Sequence, residues 1–323
     1  MAAAGPSVPV SVRIRVPAST ANLGPGFDSV GLALGLWDEY DVTVGVSGGL
    51  RIAVTGEAAD EVPLDASHLV IRAMAYACAR LGAPMPVDLC LVARNGIPHG
   101  RGLGSSASAI VAGVVAAQAF SSGEALTRLR PGDAVDLDLG VATDLATELE
   151  GHPDNASASA LGGLTVSWTR DPEERSSSTT GTAVVPTHPE IAVVVFLPEA
   201  QLATHTARAV LPPTVAHADA ALNSGRAALL VEAMSRRPEL LLPATRDWLH
   251  QGFRRAAFAP SMELVDALRR GGHAAVISGA GPSIVVLTTR DELDAVVAPS
   301  FSAWQWRRLV PDVPDAGVTV VRL

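Results

Sequence analysis

Residues 96–108 read Gly-Ile-Pro-His-Gly-Arg-Gly-Leu-Gly-Ser-Ser-Ala-Ser and run into a stretch rich in Ala and Val. Gly100, Gly102 and Gly104 carry no side chain, so successive backbone N–H groups can close around an anion. Ser105 and Ser106 add hydroxyls where a helix would begin. A helix N-terminus fed by such a loop gathers positive partial charge and unpaired N–H groups, which suits phosphate. The loop lacks the Lys-Ser/Thr ending of a P-loop, and the chain contains no lysine at all. The chemistry it points to is phosphate binding by backbone amides, helix dipole and magnesium.

Three further segments could complete such a site. Pro17-Ala-Ser-Thr-Ala-Asn-Leu-Gly-Pro-Gly-Phe-Asp28 sets the Asn22 carboxamide and the Asp28 carboxylate six residues apart across two glycines. That pair could bind an amine and a hydroxyl, although an ordinary Asx turn has the same composition. In Glu148-Leu-Glu-Gly-His-Pro-Asp-Asn155, Glu148 and Glu150 face away from each other on a helix. One of these carboxylates could hold Mg²⁺ with nucleotide phosphates and a serine hydroxyl, the sparse protein ligation usual for that ion. Ile277-Ser-Gly-Ala-Gly-Pro-Ser283 is a tight turn whose backbone can approach a ligand. Arg208 and Arg254 are candidates to clamp a carboxylate in bidentate fashion.

Strands and helices must hold these segments in place. Apolar and polar residues alternate over 10–16, the pattern of a half-buried strand, and residues 17–28 read as a loop. Strands are expected over 30–46, 50–55, 87–93 and 164–168, and helices over 67–82 (closed by Gly82), 105–120, 136–149 and 155–160. Residues 121–133 read as a loop or short helix, and 170–182, charged and then Ser/Thr-rich, as a mobile loop. Further on, 191–197 reads as a buried strand, with strands at 276–278, 284–288 and 318–322. Helices are expected near 203–210, 216–234, 238–250, 261–270 and 291–298.

The length of 323 residues suggests about two domains. A net charge of −9 argues against a general nucleic-acid surface. No run of about 18 apolar residues predicts a membrane span. The N-terminus has no basic start and no apolar signal core, so a cytoplasmic setting is expected. Cys78 and Cys90 sit in apolar stretches and read as reduced, buried thiols.

Together and in this order, from residue 17 to residue 283, these motifs resemble the GHMP kinase superfamily, named for galactokinase, homoserine kinase, mevalonate kinase and phosphomevalonate kinase. The opening that ends in Gly-Phe-Asp28, and Glu-Leu-Glu-Gly-His-Pro-Asp-Asn followed by Leu-Gly-Gly, are similar to the homoserine kinase branch. The resemblance implies an α/β two-domain GHMP-kinase fold. An N-terminal ribosomal-protein-S5-domain-2-like α/β domain (1–165) would carry the glycine-rich loop, and a C-terminal ferredoxin-like α+β domain (166–323) would complete the substrate site. It implies transfer of the ATP γ-phosphate to L-homoserine, giving O-phospho-L-homoserine for threonine synthesis, with Mg²⁺ as cofactor. Members are often homodimers.

In that reading Pro98, His99, Gly100, Arg101, Gly102, Leu103, Gly104, Ser105, Ser106, Ala107 and Ser108 wrap the ATP phosphates. Ser106 or Ser105, with Glu148, would hold Mg²⁺. Asn22, Asp28 and Asn155 would bind homoserine with His152 close by, Thr204 and Arg208 would reach the substrate, and Arg254 would hold its carboxylate. Glu148, Ser106 and Asn155 form the implied catalytic set. Asn155 takes the place of an aspartate base used elsewhere in the superfamily, which implies a reaction without a strong protein base.

This chain departs from the pattern in three places. Gly252-Phe253 precedes Arg254 where members often carry Pro-Tyr, His99 is unusual within the loop, and Asn155-Ala-Ser-Ala-Ser-Ala is serine-rich. The alternatives are another GHMP small-molecule kinase such as mevalonate kinase, or a non-catalytic ligand sensor on this fold. The absence of lysine and the presence of Asn155 count against the first. Retention of Glu148, Ser105 and Ser106 counts against the second.

Overall fold

Strands β1 (Val10–Asn22) and β2 (Gly26–Val44) form a long antiparallel hairpin in the computed structural model, which describes residues 9–171, 173, 179–200, 208–298 and 305–323. Val10, Val12, Ile14 and Val16 alternate inward along β1 and are buried. The stretch 17–28, expected as a loop, instead continues the hairpin. Residues 18–21 pair with 31–34, with register shifts after Pro17 and after Ala21. These irregularities let the strand pass Pro17, which has no N–H to give the ladder. Residues 23–25 leave the ladder, and the backbone turns there with Asn22, Leu23 and Gly24 at φ of 70°, 46° and 90°.

Around this hairpin a seven-stranded sheet runs in the order β11-β1-β2-β4-β3, where β3 is Leu50–Gly56, β4 Leu89–Asn95 and β11 Thr319–Arg322. Strand β5 (Leu164–Thr169) pairs with β2, and β6 (Thr180–Val185) pairs with β5. Four helices pack on the sheet in one apolar core: α1 (Leu69–Leu81), α2 (Ser105–Ser121), α4 (Leu139–Glu150) and α5 (Pro153–Leu161). A short α3 (Glu124–Arg128) follows α2. Val111, Val114, Val115 and Ala116 of α2 are all fully buried, so its sequence is apolar all round. Helix α1 ends on Gly82 at φ 67°, the left-handed cap its sequence predicts.

The second sheet is antiparallel, in the order β10-β7-β9-β8. Its strands are β7 (Ile191–Pro198), β8 (Ala274–Ile277), β9 (Ile284–Thr289) and β10 (Trp306–Leu309). On β7, Val193 and Val195 share a core with Leu32 and Leu34 of the first sheet and with Leu230 and Met234 of α6 (His217–Ser235). Val194 and Phe196 point the other way, onto Met262 and Val265 of α8 (Ala259–Arg270). Burial on both faces is why 191–197 reads as an unbroken apolar run.

Several boundaries differ from expectation. A division at residue 165 falls inside β5, and both β6 and β11 belong to the first sheet, because the chain's end returns to pair with β1. The helix expected over 238–250 stops early. A 3₁₀ turn (Pro238–Leu240) and α7 (Leu241–Ala244) precede a turn in which the Asp247 carboxylate accepts the N–H groups of Leu249, His250 and Gln251. Such a side chain competes with the helix ladder for its donors. The expected helix at 291–298 is a 3₁₀ segment (Arg290–Ala295), and β10 was not foreseen. Of the expected mobile loop, 172 and 174–178 lie outside the described residues, and so do 203–207 of the expected helix near 203–210. Cys78 is buried, Cys90 half-buried, and neither is in a disulfide. Among the described residues no helix is long and apolar enough to cross a membrane.

Candidate active site

β4 leads into the glycine-rich loop, whose beginning is tied to a buried acid. The N–H groups of Gly96 and Ile97 donate to Asp38 Oδ1 at 2.9 and 3.0 Å. The other oxygen of Asp38 accepts from Ser108 Oγ at 2.9 Å and from Tyr40 OH at 3.1 Å. Asp38 therefore joins the start of the loop to α2. Burial pushes its carboxyl above the usual range, and the four hydrogen bonds oppose that rise.

Gly100, Gly102 and Gly104 sit at φ of 65°, 73° and 73°, the left-handed region glycine tolerates. Space makes a second demand. A Cβ on Gly102 would lie 2.3 Å from the Ser278 carbonyl oxygen, and one on Gly104 would lie 2.2 Å from Ser19 Oγ. The 277–283 turn thus presses on the loop, and Ser278 Oγ donates to the Gly102 carbonyl at 2.5 Å. Arg101 points its guanidinium elsewhere, donating to the carbonyls of Pro198 and Glu199 at 2.9 Å each.

Helix α2 starts with Gly104 as its cap, without a side-chain cap and without an acid in its first turn. Its leading N–H groups are left for a ligand. Gly100, Gly102, Gly104, Ser105 and Ser106 line a cleft of about 220 Å³. Pro98, Leu103, Ala107 and Ser108 have buried side chains and support the loop from behind.

The acid on this side of the cleft is Glu150, the last residue of α4, whose Oε1 accepts from Ser106 Oγ at 2.7 Å. Glu148, the residue expected there, is turned toward α1 instead. It accepts from Tyr76 OH and, at 3.0 Å, from Arg80, both on α1. Helical spacing sets the two acids on opposite sides, but the packing of α4 against α1 decides which side meets the loop. Burial pushes the Glu150 carboxyl up, opposed by the Ser106 bond and the His152 charge and reinforced by Asp154. A carboxylate beside a hydroxyl is a hard-oxygen donor set that fits Mg²⁺. Among the described residues no group of three or more His, Cys, Asp or Glu forms a metal cage.

Next along the cleft, His152 Nδ1 lies 2.7 Å from Asp154 Oδ1, which also accepts the Asn155 N–H at 2.8 Å. Burial disfavours a charged His152 ring, but the hydrogen bond and charge of Asp154, with the charge of Glu150, outweigh it and raise its pKa. Asn155 Oδ1 accepts from Ser19 Oγ at 3.0 Å.

The facing wall comes from the β1–β2 turn and the second sheet's connections. Asp28 takes Arg208 in a bidentate pair at 2.6 and 3.0 Å, so two residues expected to meet a ligand separately are joined to each other. Asn22 lines the cleft, but its carboxamide is committed at both ends. Its Oδ1 accepts the Asp28 N–H at 3.0 Å and its Nδ2 donates to Gly279 O at 3.1 Å. Arg254 is 2% exposed and reaches His250 Nδ1 at 3.2 Å. His250 Nε2 lies 2.8 Å from Gly24 O, so the ring donates there and accepts from Arg254 as a neutral tautomer. Burial lowers the His250 pKa, in keeping with that form.

A second cavity of about 230 Å³ adjoins the cleft through Gly100, Ser105 and Ser106, and it is lined by Tyr40, Val62, Pro63, His68, Leu69 and His99, among others. Thr204 lies outside the described residues. Asp154, Phe27 and His250 line or support the site without having been singled out. Asp154 stands inside a motif already recognised, and its burial is a tertiary property that the motif does not carry.

Residues 68–163 match the GHMP kinases N terminal domain, and residues 220–299 match the GHMP kinases C terminal family. Over 322 residues the chain is 48% identical to the homoserine kinase of Streptomyces coelicolor, covering 99% of this chain and 98% of that protein. It is 44% identical over 319 residues to the homoserine kinase of Clavibacter michiganensis, covering 96% and 94%. The crystal structure of homoserine kinase from Cytophaga hutchinsonii superposes with a TM-score of 0.75 at 23% identity, over 96% of this chain and 97% of that one, a likeness of fold. The chain belongs to the homoserine kinase family of the GHMP kinases.

Proposed function

We propose that this chain transfers the γ-phosphoryl group of ATP to the side-chain hydroxyl of L-homoserine, yielding O-phospho-L-homoserine and ADP in threonine synthesis. The observation that carries the reading is one cleft with two unlike walls. The glycine-rich loop, Ser106 and Glu150 face Asp28, Arg208 and Arg254 across it. The first wall suits polyphosphate, and the second suits a zwitterion.

The nucleoside would occupy the second cavity, which opens onto the loop at Gly100 and Ser105. The phosphates would lie over the left-handed glycines and the start of α2. Glu150 and Ser106 would hold Mg²⁺, which when bound neutralises phosphate charge as it develops. Arg208 and Arg254 would take the acceptor's carboxylate, and Asp28 its ammonium. The acceptor hydroxyl is then held toward the γ-phosphorus. A bond forms from that oxygen to phosphorus as the bond to the β–γ bridging oxygen breaks. The hydroxyl proton leaves to a phosphate oxygen or water.

In this reading no side chain of the described residues is assigned as an early acceptor of that proton. Asn155 cannot accept one, and Asp154 favours the protonated His152 ring. Phosphoryl transfer has a loose transition state, so positioning and electrostatics supply most of the catalysis. Two reduced cysteines accord with a cytoplasmic enzyme.

An ADP-release assay across homoserine, serine, threonine and mevalonate tests the reading. Homoserine should be used fastest. Faster turnover of mevalonate would overturn the assignment.

A further inference from the structure

Phe27 stands at the centre of the acceptor wall, and neither phosphate binding nor proton transfer uses it. The Cζ atoms of Arg208 and of Arg254 each lie 5.5 Å from the centroid of its ring. The His250 ring stacks on it at 5.2 Å with an interplanar angle of 24°. Phe27 itself lines the cleft. We infer that Phe27 is a positioning residue whose aromatic face seats both guanidiniums so that together they grip the acceptor's carboxylate. The inference rests on the proposed role of those arginines.

The physical reason is the competition for Arg208. Arg208 is held by Asp28. An acceptor ammonium that takes the Asp28 carboxylate draws away the partner that fixes Arg208. Two guanidiniums close together also repel each other. A phenyl face attracts both cations through its quadrupole and offers no hydrogen bond to compete with the ligand. The ring's place is fixed from behind, since Asp28 N–H is bonded to Asn22 and a Cβ on the preceding Gly26 would lie 2.4 Å from Val30. Arg254 is buried and Arg208 is partly exposed, so the seat matters more per contact for Arg254.

The test compares Phe27→Leu and Phe27→Met, which keep apolar bulk, with Phe27→Tyr, which keeps the ring. Each is assayed with homoserine and with 3-aminopropan-1-ol, the same acceptor without its carboxylate. Leu and Met should raise KM for homoserine about tenfold, the size of cation–π contacts to partly and fully buried cations. KM for ATP and use of 3-aminopropan-1-ol should stay within about twofold. Tyr should stay within about threefold of the parent for homoserine. Two apolar variants keep the test alive if one folds poorly. Equal losses with both acceptors would make the ring a plain wall and overturn the inference. So would an unchanged KM for homoserine in a protein where Arg254→Ala raises it. If Arg254→Ala itself leaves KM for homoserine unchanged, the arginine reading fails and takes this inference with it.

Discussion

The loop wall of the cleft is held by backbone groups and one buried carboxylate, whereas the acceptor wall is held by charged side chains resting on an aromatic ring. Gly100, Gly102 and Gly104 take left-handed φ values, Asp38 pins the loop's start, and the 277–283 turn presses on its crest. The other wall draws Phe27 and Asp28 from the first sheet, and Arg208 and Arg254 from chain far along the sequence. A polyphosphate is satisfied by generic N–H donors on one continuous segment. A particular amino acid needs a constellation that only tertiary structure assembles. The two walls should therefore fail in different ways when damaged.

The largest expected effect is on the loop wall. Glu150→Gln should lower kcat by roughly 10²–10³-fold, the usual cost of losing one electrostatic partner of the transition state. Its KM for homoserine should remain within about threefold. A comparable rise in KM for homoserine would place Glu150 on the acceptor wall and break the division.

Arg254→Ala should raise KM for homoserine by about 30- to 1000-fold, equivalent to roughly 2–4 kcal/mol for a buried charge pair. KM for ATP should hardly move. Arg208→Ala should do less, because Arg208 is more exposed, and Arg254→Lys should recover only part, lacking the bidentate fork. A shift in ATP affinity instead would assign these arginines to the nucleotide.

Asp38→Ala sharpens the claim that the loop is held from behind. It leaves the Gly96 and Ile97 N–H groups without their acceptor and should cost on the order of 3 kcal/mol in urea unfolding. Burial holds the Asp38 carboxyl above its ordinary value of 3.8, so it binds its proton more tightly folded than unfolded. Its contribution to stability is greatest below pH 3.8 and declines as pH rises through the folded value. Asp38→Asn should flatten that decline, and an unchanged profile would assign it to other acids.

The smallest effect belongs to Glu148→Gln, which loosens the tie between α4 and α1. With Arg80 half-exposed, stability should fall by about 1 kcal/mol or less and kcat should hold. A loss of turnover matching that of Glu150→Gln would reverse the assignment of the two acids.

Much of this contrast can be read before folding, for reasons that differ by wall. Three alternating glycines, two serines and an apolar helix announce the phosphate loop because every part is local. The core strand at 191–197 and the Gly82 cap are legible for the same reason. Glu148 and Glu150 show the limit. Their opposite facing follows from helical geometry, but which one meets Ser106 follows from the contact of α4 with Tyr76 and Arg80 of α1, some 70 residues away. The long β1–β2 hairpin is hidden by Pro17, Gly24, Pro25 and Gly26, which read as loop until strand pairing shows where the irregularities fall. The pairing of Asp28 with Arg208, across 180 residues, leaves no trace in the spacing of either motif.

The most direct test is a crossed binding measurement by calorimetry on Glu150→Gln and Arg254→Ala. Each is titrated with homoserine and with a non-hydrolysable MgATP analogue. Glu150→Gln should weaken the MgATP analogue while homoserine binds within about threefold of the parent, and Arg254→Ala should show the opposite pattern. Equal weakening of both ligands by either substitution would contradict a cleft with two separately acting walls.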